Sequence, residues 1–337
     1  MKKGWSKKVL ILGFILIVAT TMVFAQGQTQ RREFIRFGGG SPGGTWFATV
    51  GGFATYLDQH SKDLNVTAIA TGGSEDNNRQ ARVKELDTWL THSLTALDLW
   101  TGTGEFEGDT PYQDFRLLSG VYENHHHFVT LASKTDINGL ADLAGKAVIM
   151  GNVGSGGAIN SENILKSIGV YDKIDVRYSD WDEAGRALQD GRVDALGASS
   201  APLSAVTQVD AQRKIKLLAP TDEEFKKIIA AFPSYAKSVI PGGTYSTVPE
   251  DSNCISFIVF WAAQKDLSDD VVYEMLDIAL NPNNLRDLSN IHVNLSTIGP
   301  YIDQMRTFPV PLHAGAVKYY RDHGIEVPDV LVPPEMK

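Results

Sequence analysis

A single cysteine, Cys254, occurs in 337 residues, so no intramolecular disulfide can staple this chain. Positive charge is also scarce: 31 Lys and Arg stand against 40 Asp and Glu, a formal net charge of −9. An acidic chain lacks the electrostatic footprint that nucleic acid or an anionic membrane surface selects. Beyond the N-terminus there is no long hydrophobic span, and no internal repeat or low-complexity tract. The G-x-S-x-G elbow of serine hydrolases is missing too; "GSG" at 154–156 falls one residue short of it.

What is present begins with Lys2, Lys3, Lys7 and Lys8, followed by the apolar run "VLILGFILIVATTMVFA". The run ends Val23-Phe24-Ala25, a small-x-small cleavage pattern, which predicts a signal peptide over residues 1–25 and a periplasmic location. It is shorter than the ~20 apolar residues a spanning helix prefers, and no stop-transfer charges follow; an uncleaved anchor is the alternative. No cysteine marks the cleavage point for a lipid anchor. Cleavage removes four lysines and takes the formal charge from −9 to −13. The remaining length suits two domains of ordinary size.

Strand and helix signals then alternate, which predicts an α/β fold with a largely parallel sheet. "EFIRF" reads as a strand, and Trp46, Phe47, Val50, Phe53, Ala54 and Leu57 recur at helical spacing. "NVTAIA" is a second strand, Ser74 can cap the next helix, and "LDTWLTH" is a third strand. A second series begins with "HHFVTLAS" near His125. Asp180 and Glu183 make a capping pair, and "CISFIVFWAA" is a very apolar strand after Pro241-Gly242-Gly243. The C-terminal third is mostly helical.

Each series carries a glycine-rich turn from strand to helix: "GGGSPGGTWF" at 38–47 and "GNVGSGGAINSENIL" at 151–165. A helix start leaves about four N–H groups unpaired and carries roughly half a positive charge, so such a turn attracts phosphate or carboxylate. Gly38, Gly40 and Gly43 match the G-x-G-x-x-G spacing of a dinucleotide turn. That reading wants an acid at the tip of the second strand to hold the ribose. The strand ends Ala70-Thr71-Gly72-Gly73, and Glu75 comes only after the glycines. Export also removes the chain from the nicotinamide pool, so no cofactor is expected.

Six stretches carry a resemblance: "FGGGSPGGTWF", "ATGGSEDN", "GLADLAGKAVIMGNVGSGG", "ALQDGRVDAL", "IPGGTY" and "PVPLHAGAVKYYRDHG". On these, from about residue 33 to residue 324, the chain resembles the TAXI solute receptors, the extracytoplasmic binding proteins of TRAP transporters. The resemblance implies a two-lobed periplasmic binding protein, type II-like, with the chain crossing twice between lobes. The series of elements from about 123 to 245 reads as a lobe inserted within another, which gives lobe I at residues 26–122 and 246–337 and lobe II at 123–245. The resemblance implies a monomeric, non-catalytic receptor that delivers a small carboxylate, a glutamate-like amino acid or a dicarboxylate, to membrane permease subunits. Gly40, Ser41, Gly43, Gly44, Thr45 and Trp46 match the first ligand loop, and Thr71, Gly72, Gly73 and Ser74 the second. Gly154, Ser155, Gly156 and Gly157 match the helix start of the other lobe, and Tyr245 the tyrosine after the return crossover. His92 and Ser93 fall where the family reads Gln and then Ser or Asn; Leu94 stands where it reads Asp. An α-ammonium group thereby loses a carboxylate partner. An ATP-driven importer's receptor, a sensor-coupled receptor and a periplasmic enzyme are the rival readings.

His125-His126-His127 invites a metal reading, but two imidazoles without a third fixed ligand seldom make a catalytic zinc site, and no metal is expected. The expectation is an inter-lobe strand with exposed histidines, the alternative being one that faces the cleft. Trp89 and Trp181 are expected in the core, as are Tyr319 and Tyr320.

Overall fold

β1 (Glu33–Gly38) pairs in parallel with β2 (Leu64–Ile69) and β3 (Thr88–His92), and helices fill the crossovers. These are α1 (Thr45–His60), α2 (Ser74–Arg82) and, after β3, α3 (Ser93–Thr101). The computed structural model describes residues 32–337, so the predicted leader 1–25 and its cleavage point lie outside the described residues. α1 forms where the apolar spacing predicts it: Trp46, Val50, Phe53, Ala54 and Leu57 share one buried face. Burying a side chain such as Phe53 or Leu57 contributes about 1.5–3 kcal/mol each.

The long strand β4 (Phe115–Leu131) leads into the second half of the molecule. There follow β5 (Ala147–Ile149), α4 (Gly156–Ser167), β6 (Asp175–Arg177), α5 (Trp181–Gln189), β7 (Ala195–Ala198) and α6 (Ser204–Asp210). β8 (Ile215–Leu218), α7 (Asp222–Ala231) and β9 (Ala236–Ile240) complete that half, and β10 (Ser252–Gln264) returns. α8 (Asp269–Ala279), α9 (Leu285–Ile291), α10 (Ile302–Met305) and α11 (Ala314–Asp322) pack back on the first half.

The fold is α/β and two-lobed, and β4 and β10 are the two crossovers. β10 pairs antiparallel with β4 from Gln264↔Phe115 to Ile255↔His126, with irregularities at Val259/Phe260 and Trp261/Ala262. One end of β10 meets β3 (Val259↔His92) and the other meets β9 (Ser252↔Ile240). Past His126, β4 leaves β10 and pairs with β7 and β8. Core packing divides in the same way. One apolar cluster joins Phe37, Phe53, Trp89, Trp261 and Tyr320. Others gather Phe128, Val148, Leu165 and Phe257, or Val129, Leu196, Val206 and Tyr245.

Two expectations change. The sheet is mixed rather than largely parallel, because both crossover strands run antiparallel to their neighbours. β4 also begins at Phe115, ten residues before His125. The histidines lie mid-strand and are not exposed: His126 and His127 are buried and His125 is half-buried. His127 accepts or donates at Nε2 with the Tyr245 hydroxyl (2.9 Å), and His126 Nε2 meets Ser161 Oγ (3.0 Å).

Candidate functional site

Five helix starts converge between the two lobes, those of α1, α2, α3, α4 and α5. The first lobe supplies Gly40, Ser41, Gly44, Thr45 and Trp46 from the β1–α1 loop, Gly72, Gly73 and Ser74 from the β2–α2 loop, and His92 from the tip of β3. Facing them are Ser155, Gly156 and Gly157 at the start of α4, Trp181 opening α5, and Ser199 and Ser200 after β7. Among the described residues, none lining this cavity is Asp, Glu, Lys or Arg. About 40 Å³ is open to the centre of a water molecule. At about 10–15 Å³ per water that holds three or four, on the order of 100 Å³ of liquid and the bulk of a short-chain acid.

The lobes touch around this cavity. Thr45 Oγ1 donates to the Pro202 carbonyl (3.1 Å), and Trp46 Nε1 donates to the Tyr122 hydroxyl (2.6 Å), which meets Ser200 Oγ (2.8 Å). Ser155 caps α4, its hydroxyl accepting from Ala158 N (3.1 Å). Ser74 caps nothing, contrary to expectation; its hydroxyl accepts from His92 N (2.9 Å) and pins the tip of β3. Asp180 caps α5 as expected, accepting from Glu183 N (2.8 Å).

His92 is the only ring with titratable nitrogens on the lining. Burial pushes its pKa down to about 3, so it is neutral at physiological pH. Trp46 and Phe257 hold it edge-on, with ring centroids 4.7 Å away in each case. Gly157 lies close under Trp181 and Ser199, whose atoms stand 3.0 and 3.2 Å from where a Cβ would be, so a side chain there would have to push them back by a few tenths of an ångström.

Five of the residues singled out by sequence lie off the lining. Gly43, with φ +75°, packs on Asp182, and Gly154, with φ +68°, packs on Glu75. Thr71 Oγ1 ties the loop to the Gly39 carbonyl (3.0 Å). Ser93 is buried as the first residue of α3, and the Tyr245 hydroxyl accepts from Leu203 N (2.9 Å). Trp181 is a core residue as expected, 7 % exposed and packed with Leu188 and Val206, and it also lines the cavity. Ser199 and Ser200 were not anticipated. Their signal was a run of small polar residues, "GASSAP", at the C-terminal end of a strand, where open α/β sheets place their ligands. Tyr319 and Tyr320 are core residues as expected.

Two lobes joined by two strands over a polar cavity are the fold of the periplasmic binding proteins. The chain belongs to the NMT1-like family, whose sequence profile matches residues 37–324. Among solved structures it is similar in fold to a protein from Bordetella bronchiseptica, with 12% identity and a TM-score of 0.53 over 87% of this chain and 98% of that one. It is also similar to a periplasmic transporter, with 14% identity and a TM-score of 0.52 over 81% of this chain and 90% of that one. A putative L-cystine ABC transporter from Listeria monocytogenes aligns over 79% of this chain and 97% of that one, at 16% identity and a TM-score of 0.47. Among the described residues, no helix is long and apolar enough to cross a membrane.

Proposed function

We propose that this protein is a non-catalytic periplasmic solute receptor that binds a small carboxylate between its lobes and delivers it to the membrane subunits of a TRAP transporter. The observation that carries the carboxylate is the convergence of five helix starts on a cavity with no charged side chain on its lining. Unpaired N–H groups and positive dipole ends stabilise a small anion there although the whole chain is acidic. Nothing at the cavity resembles a nucleophile with its base: Ser155 Oγ serves α4, and both His92 nitrogens face side-chain amides. Lobe I would comprise residues 26–122 and 246–337, lobe II residues 123–245, and the hinge would lie where β4 and β10 cross. The TRAP assignment rests on the sequence resemblance. A receptor for an ATP-driven importer shares this fold, so the membrane partner needs its own test.

A thermal-shift screen of carboxylates on ligand-stripped protein tests the ligand class. A ligand at 100 times its Kd should stabilise the fold by ~2.7 kcal/mol. Uptake into vesicles carrying the cognate membrane subunits then tests the transporter. Receptor-dependent uptake driven by an ion gradient supports the proposal, and uptake that requires ATP refutes its TRAP part.

A further inference from the structure

Glu75 is a carboxylate that the two lobes enclose together. It stands in the first turn of α2, directly after Ser74, which lines the cavity. Its side chain is only 7 % exposed. Oε1 accepts from Arg79 Nε (2.6 Å), whereas Oε2 is buried and has no hydrogen-bond partner. Part of the cover over Oε2 comes from the other lobe. Gly154, held at φ +68°, lies so close that an added Cβ would stand 2.8 Å from that oxygen. Beside it, Ser155 Cβ lies 3.5 Å from where a Cβ on Gly73 would be, so the opposing loops touch at the rim of the cavity.

The charges around Glu75 divide by lobe. Arg79 and Asp76 share α2 with it, and Glu105 lies in the turn Gly104–Phe106 of the same lobe. Arg79 favours the ionised carboxylate, and Glu105 and Asp76 oppose it. Arg79 also lies 3.6 Å from Asp109, so its charge is shared. The neighbouring β3 and α3 add His92, which is neutral, and Asp98. All of these travel with Glu75 when the lobes part. The opposing loop, residues 151–155, carries no charged residue. Behind it α4, which packs on α2, carries Glu162 and Lys166, paired with each other at 2.8 Å. The start of α4 brings N–H groups near, and none of them reaches Oε2.

Closing the lobes therefore takes water from Glu75 and supplies no donor in its place. Burial outweighs Arg79 and holds the carboxyl above its ordinary 4.5. A carboxylate that loses water without gaining a hydrogen bond favours its protonated form.

We infer that closure of the lobes on the ligand takes up a proton at Glu75, which makes this residue a determinant of affinity that acts from behind the cavity wall. This deepens the receptor reading above and rests on it. The closed form holds the proton more tightly than the open form, so Glu75 favours binding in acid and disfavours it as pH rises through the closed-state value. One such group changes Kd by at most about tenfold per pH unit.

Calorimetry with succinate, glutarate and glutamate, on the wild type and on Glu75→Gln, from about pH 4.5 to about pH 8, tests the inference. The amide keeps an oxygen for Arg79 and mimics the protonated carboxyl. The ratio of wild-type to variant Kd cancels the titration of the ligand and of the other buried groups. It should lie near one in acid and rise several-fold with pH, the variant binding more tightly than the wild type at the alkaline end. In the rising part of that curve, buffers of different ionisation enthalpy should show the wild type taking up more protons per ligand than the variant, by up to about one. Glu75→Met, similar in length and uncharged, should give the same rising ratio and stands in if Glu75→Gln does not melt cooperatively. A ratio that stays flat, or a variant that binds more weakly at every pH, overturns the inference and leaves the carboxylate receptor standing. Binding by none of the three acids, to protein with a normal melting transition, sinks both.

Discussion

Gly156→Ala separates closure of the lobes from folding. Gly156 opens α4 without a left-handed φ, so the helix itself accepts alanine. The added Cβ would stand 2.7 Å from Ser74 Cβ and 2.9 Å from His92 Cε1, and nearer still to His92 Nδ1. Carbon atoms pack at about 3.5–4.0 Å, so the gap must widen by about 1 Å. His92 has little room to turn aside, being wedged between Trp46 and Phe257. Ser74 is fixed by its bond to His92 N. Ser74 opens α2 and His92 ends β3, both in the half built on β1–β3, whereas Gly156 follows β5. The strain therefore falls on the closed form alone. Overpacking costs ~1–3 kcal/mol, and a penalty of that size on the binding-competent state raises Kd roughly 5- to 150-fold. Calorimetry gives the Kd, small-angle scattering the ligand-induced compaction, and a melting curve the fold. Gly139→Ala, where an added Cβ meets nothing within 4 Å, is the control and should leave Kd unchanged. A Gly156→Ala protein that binds and compacts like the wild type would refute the closure argument.

Three further outcomes are expected. Burial raises Asp98 to about 6, above its ordinary 3.8, so the folded state holds that proton more tightly and loses stability as pH rises through this window. Asp98→Asn should then gain on the order of 1–3 kcal/mol at pH 7 and nothing below about pH 4, as read by urea unfolding. His92, His126 and His127 are pushed the other way by burial, to about 3, well below 6.5, and to about 4 respectively. The stability they confer is complete above pH 6.5 and should be lost as pH falls toward 4, at up to about 4 kcal/mol per pH unit for three such groups; flat unfolding midpoints over that range would contradict their burial. Tyr245→Phe leaves the Leu203 N–H without its acceptor and should cost ~1–3 kcal/mol of stability while carboxylate Kd stays within twofold, because this hydroxyl faces His127 rather than the cavity; a large affinity loss with unchanged melting would make it a ligand group instead.

Much of this was legible along the chain because the signals are local. The apolar spacing of α1, the capping pair at Asp180 and the glycine turns before α1 and α4 each depend on neighbours within a few residues. What failed to read depends on distant partners. "DFRLLSGVY" gave no clear strand, yet it begins β4, because β10 supplies its hydrogen bonds from about 140 residues away. Trp181 read correctly as a core residue from its spacing in α5; that it also walls the cavity depends on the approach of the opposing loops. Ser74 looked like a cap and became the anchor of His92, since β3 reaches it first.

The α/β alternation, the two glycine-rich helix starts and the acidic balance were already legible in the sequence. Those follow from periodicity, from glycine's freedom to turn and from charge, none of which needs a third dimension. Tertiary structure decided which of those helix starts share one cavity and that Ser199 and Ser200 join them. Convergence of this kind is a property of the packed chain: the Trp46 indole reaches the Tyr122 hydroxyl, and the Ser200 amide reaches Asn124 Oδ1. Their partners lie 76 residues from each in sequence, and only the packed fold brings each pair within hydrogen-bond distance.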